Sequence, residues 1–540
     1  MKMTKTLLAS AVIAASFTAM QVHAADVPAG VKLADKQELV KGGEGEPATL
    51  DPQKIQGTPG SLRAKDLFEG LYSEGEGGKL VPGVATGYTV NDDNTVYTFN
   101  LRHDAKWSDG TPVTANDFVY GFQRLVDPKT ASVYSWYAAL AGIINAQNII
   151  DGKAKPADMG VKALDKYTFQ VTLDHPVPYF VKMTVNSAMY PAPKKAIEKF
   201  GDNWTKPGNL VSNGAYKLDT WIVNEKMVFV RNHDYWNDKK TIINKVTVLP
   251  IKDSTVEFSR YQAGDLDVTS FSGIPTNRYK ELLKTTPDEV KVTPQLAAYY
   301  YDFNNQKPPF NDVRVRKALS YAIDRTIITK YVTGVGEIPA YTFTPPSVDG
   351  FKAKQPEYAK WTQAERNAKA KELLKEAGYD KNNPLDFTLL YNTNDGHKKI
   401  AIAVASMWKK TLGVNATLEN QEWKTFIDTR NLGNFGVARD GWVGDYNEAS
   451  TFLDLFKSTN TSNNAHYNNP EYDGYMAQAA KAKDPAPFYQ KAEDLVIDKD
   501  MAVAPIYQYS IKRLVKTYVG GYKPNLEDNI YTRDMYIIAH

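Results

Sequence analysis

The chain has 540 residues, carries 65 basic and 62 acidic side chains, and lacks cysteine. Near-balanced charge argues against a nucleic-acid binder, which shows a basic excess or stripe, and missing cysteine excludes disulfide staples, thiolate metal sites and a cysteine-borne lipid anchor. A chain this long outgrows a single core, so two or three domains are expected.

Residues 1–24 read as an export leader. Lys2 and Lys5 give a positive start, Leu7 to Met20 an apolar core, and Val22-His23-Ala24 a small-x-small cleavage site. The apolar run is about 14 residues, short of the roughly 20 that cross a bilayer. From Ala25 the mature chain has 516 residues; with two lysines removed it carries 63 basic and 62 acidic side chains, a net +1. It is expected to be periplasmic, monomeric and not embedded in a membrane.

Beyond the leader, Tyr97–Arg102 and Tyr167–Leu173 alternate apolar with polar residues, and Asn91–Asn94 supplies a turn, which reads as meandering strands. Gly75-Glu76-Gly77-Gly78-Lys79 lacks the spacing and the following Ser/Thr of a phosphate-binding loop and reads as a hairpin turn. From about Pro294, strands alternate with capped helices. Thr362 and Glu365 form a capping box, apolar residues recur at Ala370, Leu373, Leu374 and Ala377, and Gly378 closes that helix. A strand at Leu385–Tyr391, a helix at His397–Leu412 and a strand at Val414–Leu418 make a βαβ unit. A helix at Lys424–Leu432 and a strand at Phe435–Arg439 follow, which puts Asp440–Asn447 in a loop past a strand's C-terminal end, where open α/β sheets bind ligands. The 33 tyrosines and 9 tryptophans suit a wet pocket walled by rings with polar tips, and equally suit an ordinary core.

No motif assembles catalysis. The six mature histidines, at 103, 175, 233, 397, 466 and 540, lack His-Glu-x-x-His spacing, and no serine-nucleophile motif stands in a strand-turn-helix setting. The chain is read as a non-enzyme without cofactors or a metal site, a periplasmic hydrolase being the distant alternative.

Tyr97–Arg102 with Ala105–Tyr120, Asn213–Tyr216, Pro309–Leu319, Asp324-Arg325 and Thr344–Pro346 carry a resemblance to the large extracellular solute-binding proteins of the dipeptide, oligopeptide and nickel importers. Tyr391–Lys399, Asn420–Lys424 and Ala438–Glu448 are similar to its oligopeptide-binding and murein-tripeptide-binding branches. The resemblance implies an α/β (mixed α+β) fold, a two-lobed binding protein with a hinge and an additional inserted lobe, three lobes in all. It implies lobe I at 25–68, 195–296 and 515–540, an inserted lobe II at 69–194 and lobe III at 297–514, with crossovers near Pro294–Tyr301 and Tyr509–Leu514. The expected partners are peptides, or a murein tripeptide in the alternative reading, and the permease and ATPase subunits of an ABC importer.

A binder of many peptides must read what they share: an extended backbone, an ammonium and a carboxylate. By resemblance, Asp445 receives the ammonium, and Arg430, His397 and Arg439 receive the carboxylate at different depths. Gly441–Val443 and the loop Gln56–Thr58 are expected to pair with the backbone, and Trp442, Trp423 and Tyr134 to wall pockets. Tyr507 and Tyr509 are weaker pocket candidates. Each has a bland reading too: Asp445 as a loop cap, the basic residues as ion pairs, the rings as core. Ala297 and Val443 stand where the oligopeptide branch has a bridging cysteine pair, Gln56 where it has a glutamate, and Thr333 where it has a lysine that meets the carboxylate of certain peptides.

Overall fold

The computed structural model describes residues 27–540 except 76–78, 178, 272, 276 and 483. The leader and the centre of the Gly75–Lys79 turn therefore lie outside the described residues. On either side of that turn, Tyr72–Glu74 and Leu80–Pro82 pair antiparallel as a hairpin requires.

The first lobe opens with β1 (Glu38–Gly42) and helix α1 (Thr58–Leu67). The inserted lobe follows with β2 (Ala85–Val90), β3 (Val96–Leu101), α2 (Ala115–Val126), β4 (Val161–Asp165) and β5 (Thr168–Thr172). These strands form an antiparallel sheet in the order β2-β3-β5-β4. Tyr97, Phe99 and Leu101 of β3 are buried while the intervening residues are not, the two-residue period of a strand with one face inward. Phe118 and Phe122 of α2 pack on Phe169 of that face. The chain then returns to the first lobe through β6 (Tyr216–Ile222), β7 (Lys226–Arg231) and β8 (Lys245–Leu249), in the order β1-β8-β7-β6.

The third lobe is built on a six-stranded mixed sheet. Its elements are β9 (Val290–Phe303), β10 (Ile338–Pro339), α3 (Gln363–Glu376), β11 (Asp386–Asn392), α4 (Asp395–Leu412), β12 (Asn415–Gln421), α5 (Trp423–Asn431), β13 (Val437–Val443) and β14 (Val503–Leu514). The order is β10-β14-β9-β13-β11-β12. β11 and β12 are parallel around α4, the βαβ unit expected from the sequence. Thr362 and Glu365 cap α3 reciprocally, and Gly378 beyond its end has φ +92, a left-handed position that glycine takes without a Cβ clash.

One boundary differs from the sequence reading in a way that matters. Asp440–Val443 is not loop: β13 runs on to Val443, paired antiparallel with β9 from Phe303↔Val437 to Ala297↔Val443. Arg439, Asp440 and Gly441 break the apolar pattern, so the strand ends too early on hydrophobicity alone.

The long strands β9 and β14 pair with each other and join the first and third lobes. Their first-lobe end is tied down where Leu514 accepts from Thr269 N–H at 2.9 Å, and their third-lobe end lies in the six-stranded sheet. Between them the register slips from Pro294↔Ser510 to Ala298↔Gln508. Such a bulge, beside a proline with no N–H to donate, locally interrupts the ladder at the crossover.

Candidate ligand-binding site

A cavity of about 220 Å³ lies where the three lobes meet. Its wall holds twelve of the thirteen residues expected from the sequence: Gln56, Thr58, Tyr134, His397, Trp423, Arg430, Arg439, Gly441, Trp442, Val443, Asp445 and Tyr509. Tyr507 is not among them. It is buried under Tyr299, stacked at 4.6 Å, and lines a smaller cavity of about 70 Å³ with Thr333 and shared residues His397 and Tyr509.

β13 supplies the spine of the site. β9 pairs with it along its whole length, but on the opposite edge β11 reaches only Val437 and Ala438. The edge from Arg439 to Val443 has no strand beside it among the described residues, which is the geometry that accepts an added strand. Gly441 has a steric reason to be glycine: a Cβ there would stand 2.9 Å from the Tyr509 hydroxyl and 3.0 Å from Arg439 Nη2. Its bare backbone lets the Arg439 guanidinium lie along the strand.

The four predicted polar groups differ sharply in what they have left to offer. Asp445 accepts from Asn186 Nδ2 of the inserted lobe at 2.6 Å through Oδ1, while Oδ2, beside the Tyr134 hydroxyl, has no well-formed hydrogen bond among the described residues. Burial raises its carboxyl to about 7, against the opposing effects of Lys65, Asn186 and Tyr134. Arg439 donates to Asn392 Oδ1 at 3.2 Å and to the Tyr509 hydroxyl, lies over the Tyr299 ring at 4.9 Å, and has no carboxylate ion pair among the described residues. Arg430 is different: its Nη1 meets Asp440 Oδ1 at 2.6 Å, both side chains buried. Asp440 also accepts from Gly441 N–H at 2.7 Å and Asn464 Nδ2 at 3.0 Å. His397 is buried at the third position of α4, its N–H donating to the Asn394 cap at 3.2 Å. Burial first, then the neighbouring Arg439 charge, pushes its imidazole well below its usual range. It faces the cavity as a neutral ring.

The rings stand as walls between lobes. Tyr134 of the inserted lobe stacks on Trp442 at 6.3 Å and 12°, and Trp136 donates to Ser462 Oγ at 3.0 Å. Trp423 closes on the first lobe, where a Cβ added to Gly57 would meet its Cζ2 at 2.6 Å. Asn431 donates to Gln56 Oε1 at 3.3 Å, and Lys252 pairs with Glu422 at 2.7 Å. The lobes are closed on one another.

Sequence reasoning missed several wall residues. Glu44, Lys65 and Asn186 carry no motif signal, Asp440 was passed over within the Ala438–Glu448 block, and Asn186 comes from a different lobe from the Asp445 it serves. Buried polar atoms without a protein partner gather here: Glu44 Oε1, Trp423 Nε1, Arg430 Nε, Arg439 Nε, Trp442 Nε1 and Asp445 Oδ2 all belong to cavity-lining residues. Buried polar groups are normally satisfied, so such a cluster marks where a polar ligand fits.

Comparison with known proteins gives the lineage. Residues 79–464 match bacterial extracellular solute-binding proteins, family 5 middle. The chain belongs to that family. It is 53% identical over 541 residues to the periplasmic oligopeptide-binding protein OppA of Salmonella typhimurium, covering 99% of both chains. Among solved structures it resembles the Escherichia coli murein tripeptide binding protein MppA, with TM-score 0.92, 52% identity, and coverage of 94% of this chain and 100% of that one. Haemophilus influenzae OppA in complex with RPPGFSPFR gives TM-score 0.91 at 48% identity, with the same coverage. The unliganded open form of MppA superposes less well, with TM-score 0.66 over 95% of this chain and 99% of that one at the same 52% identity. Equal identity leaves lobe arrangement as the source of that gap, and the cross-lobe contacts above agree with a closed family 5 chain.

Within this family 5 frame, Ala297 and Val443 are direct cross-strand neighbours on β9 and β13. Two cysteines at those positions would face each other, as the resemblance implied. Here the antiparallel ladder, continued by Gly444 N–H to Leu296 O at 2.8 Å, holds that end of the spine without a disulfide. No helix among the described residues is long and apolar enough to cross a membrane.

Proposed function

We propose that this chain is the periplasmic solute-binding component of an ABC peptide importer, taking extended peptides between its lobes and handing them unchanged to a membrane permease and its ATPases. Residues 1–24 serve as the leader that is removed on export. The observation that carries the reading is the open edge Arg439–Val443, with a buried carboxyl at Asp445 and a guanidinium at Arg439 that have no ion-pair partner among the described residues. A peptide added to that edge meets its two charged termini at two opposite charges, and its backbone at a strand.

Asp445 receives the ammonium through charge-assisted hydrogen bonds, and Arg439 the carboxylate through its planar fork. Arg430 and His397 act differently from Arg439, since Asp440 neutralises the first and burial the second. One free carboxylate receptor favours a narrow range of ligand lengths. From Gly441, over which Arg439 lies, to Asp445 is four residue steps, roughly 13 Å of extended chain, the span of about three or four residues.

Resemblance to MppA supports a second reading, a murein tripeptide as the ligand. Native mass spectrometry of ligands released from the purified protein tests both. Mixed short peptides support the first, a single diaminopimelate tripeptide supports the second, and products cleaved from an added peptide would refute both by reviving an enzyme.

A further inference from the structure

The inserted lobe reaches the cavity through Tyr134 and the segment Val185–Ser187, and within that segment the Asn186 amide has one orientation open to it. Asn186 caps the short turn Ser187–Met189, its Oδ1 accepting from Ala188 N–H at 2.9 Å. With the oxygen so occupied, Nδ2 faces Asp445 and donates to its Oδ1 at 2.6 Å. Both ends of this contact are fixed in their own lobes. Buried Gln53 of the first lobe holds the turn, its Nε2 donating to Tyr190 O at 3.0 Å. Asp445 N–H in turn donates to Thr451 Oγ1 of the third lobe at 2.9 Å. The Asn186–Asp445 bond therefore forms only when the lobes close.

The contacts around it across the cleft are indifferent to ligand charge. Tyr134 stacks on Trp442, Tyr179 stacks on Tyr446 at 5.2 Å and 9°, Trp136 donates to Ser462, and Thr461 Oγ1 donates to Val133 O at 2.9 Å. These are ring stacks and neutral hydrogen bonds. The Asn186 bond differs, because an amide donating to a carboxylate is charge-assisted and roughly twice as strong as the same bond to a neutral carboxyl. A ligand ammonium beside Asp445 keeps that carboxyl ionised, and so strengthens the bond that closes the inserted lobe.

We propose that Asn186 is a positioning residue through which the inserted lobe senses an occupied N-terminal site. It holds Asp445 by Oδ1, leaves Oδ2 to the ligand, and draws its lobe shut most strongly when the peptide's terminal ammonium is in place. This rests on the peptide-binding reading and deepens it, giving the inserted lobe a share in recognition without touching the ligand's charged end.

The test is calorimetry on the mature protein at pH 7.5 with trialanine and N-acetyl-trialanine, the weaker ligand being measured by displacement of the stronger. It compares the wild type with Asn186→Ala and Asn186→Ser. Serine keeps an oxygen for the Ala188 N–H but is too short to bring a donor to Asp445, so the turn stays capped. In both variants the ratio of the two affinities is expected to fall about fivefold to tenfold, the difference between a charge-assisted and a neutral hydrogen bond. A loosened lobe weakens both peptides alike and leaves the ratio unmoved, so a folding defect cannot produce the result. If the wild type prefers the free N-terminus and both variants keep its ratio, Asn186 is not the sensor and the peptide reading stands. If the wild type binds both peptides equally, Asp445 is not the ammonium receptor and the proposal falls with it. If it binds neither, the peptide reading itself fails.

Discussion

Asp445→Asn keeps the shape of the side chain and removes its charge, and its effect follows from the closed cavity. Burial there raises the Asp445 carboxyl from 3.8 to about 7, with Lys65, Asn186 and Tyr134 opposing. At about 1.4 kcal/mol per pH unit, that difference corresponds to roughly 4 kcal/mol. This is an upper figure, because water admitted to the cavity screens the charge. A carboxyl raised by closure favours the closed empty form when protonated. Above about pH 7 the ionised group opposes closure over an empty site, and the opposition fades as pH falls through 7 toward 4. A ligand ammonium removes it by pairing, so capture and closure favour each other.

In Asp445→Asn the ammonium is buried without a charged partner, a loss of about 3–5 kcal/mol. At about 1.4 kcal/mol per tenfold, affinity for a peptide with a free N-terminus falls by roughly two to three and a half orders of magnitude. Titration calorimetry with trialanine and N-acetyl-trialanine at pH 7.5 reads this directly. The wild type should strongly prefer the free N-terminus, and the variant should lose that preference. The empty variant should also scatter X-rays as a more compact particle than the empty wild type at pH 8, since nothing charged opposes its closure. Undiminished trialanine affinity in the variant, or equal wild-type affinity for both peptides, would refute the reasoning.

Gly57→Ala puts a Cβ 2.6 Å from Trp423 Cζ2 at φ +85, so it should impede closure and weaken peptide binding at least tenfold by calorimetry. With ψ 162 this is a backbone region essentially reserved for glycine, so alanine there should also cost about 1–3 kcal/mol of stability in a urea melt. Asp440→Ala removes the 2.6 Å ion-pair partner of buried Arg430, which should cost up to about 3–5 kcal/mol in the same assay, less what the neighbouring Asp302 carboxyl recovers by ionising. Peptides whose carboxylate reaches Arg430 should recover part of that loss, seen as a higher melting temperature. Glu257 is buried in the first lobe, where burial raises its carboxyl from 4.5 to about 7 against hydrogen bonds from Ser270. Its contribution to stability is present below pH 4.5 and lost as pH rises through 7, about 3 kcal/mol in all. Glu257→Gln should therefore show a flatter urea midpoint between pH 5 and 8 than the wild type.

The elements that face a dry core were legible in the sequence, because burial writes its period into residue type. β3 alternates as Tyr97, Phe99 and Leu101, and α3 announces itself through Thr362, Glu365 and Gly378. β13 was legible only as far as Arg439, because beyond it one edge faces a polar cavity and the residues there answer to a ligand instead of a core. The site divided in the same way. Residue types at Asp445, Arg439, Arg430 and His397 could be placed by resemblance, but their charge states could not, since each depends on a neighbour set by tertiary structure. Arg430 and Arg439 are nine positions apart and chemically identical. One faces Asp440 at 2.6 Å and is cancelled, and the other faces a tyrosine and an asparagine and stays available. A carboxylate entering the cavity should therefore discriminate between two arginines that no reading of residue type distinguishes.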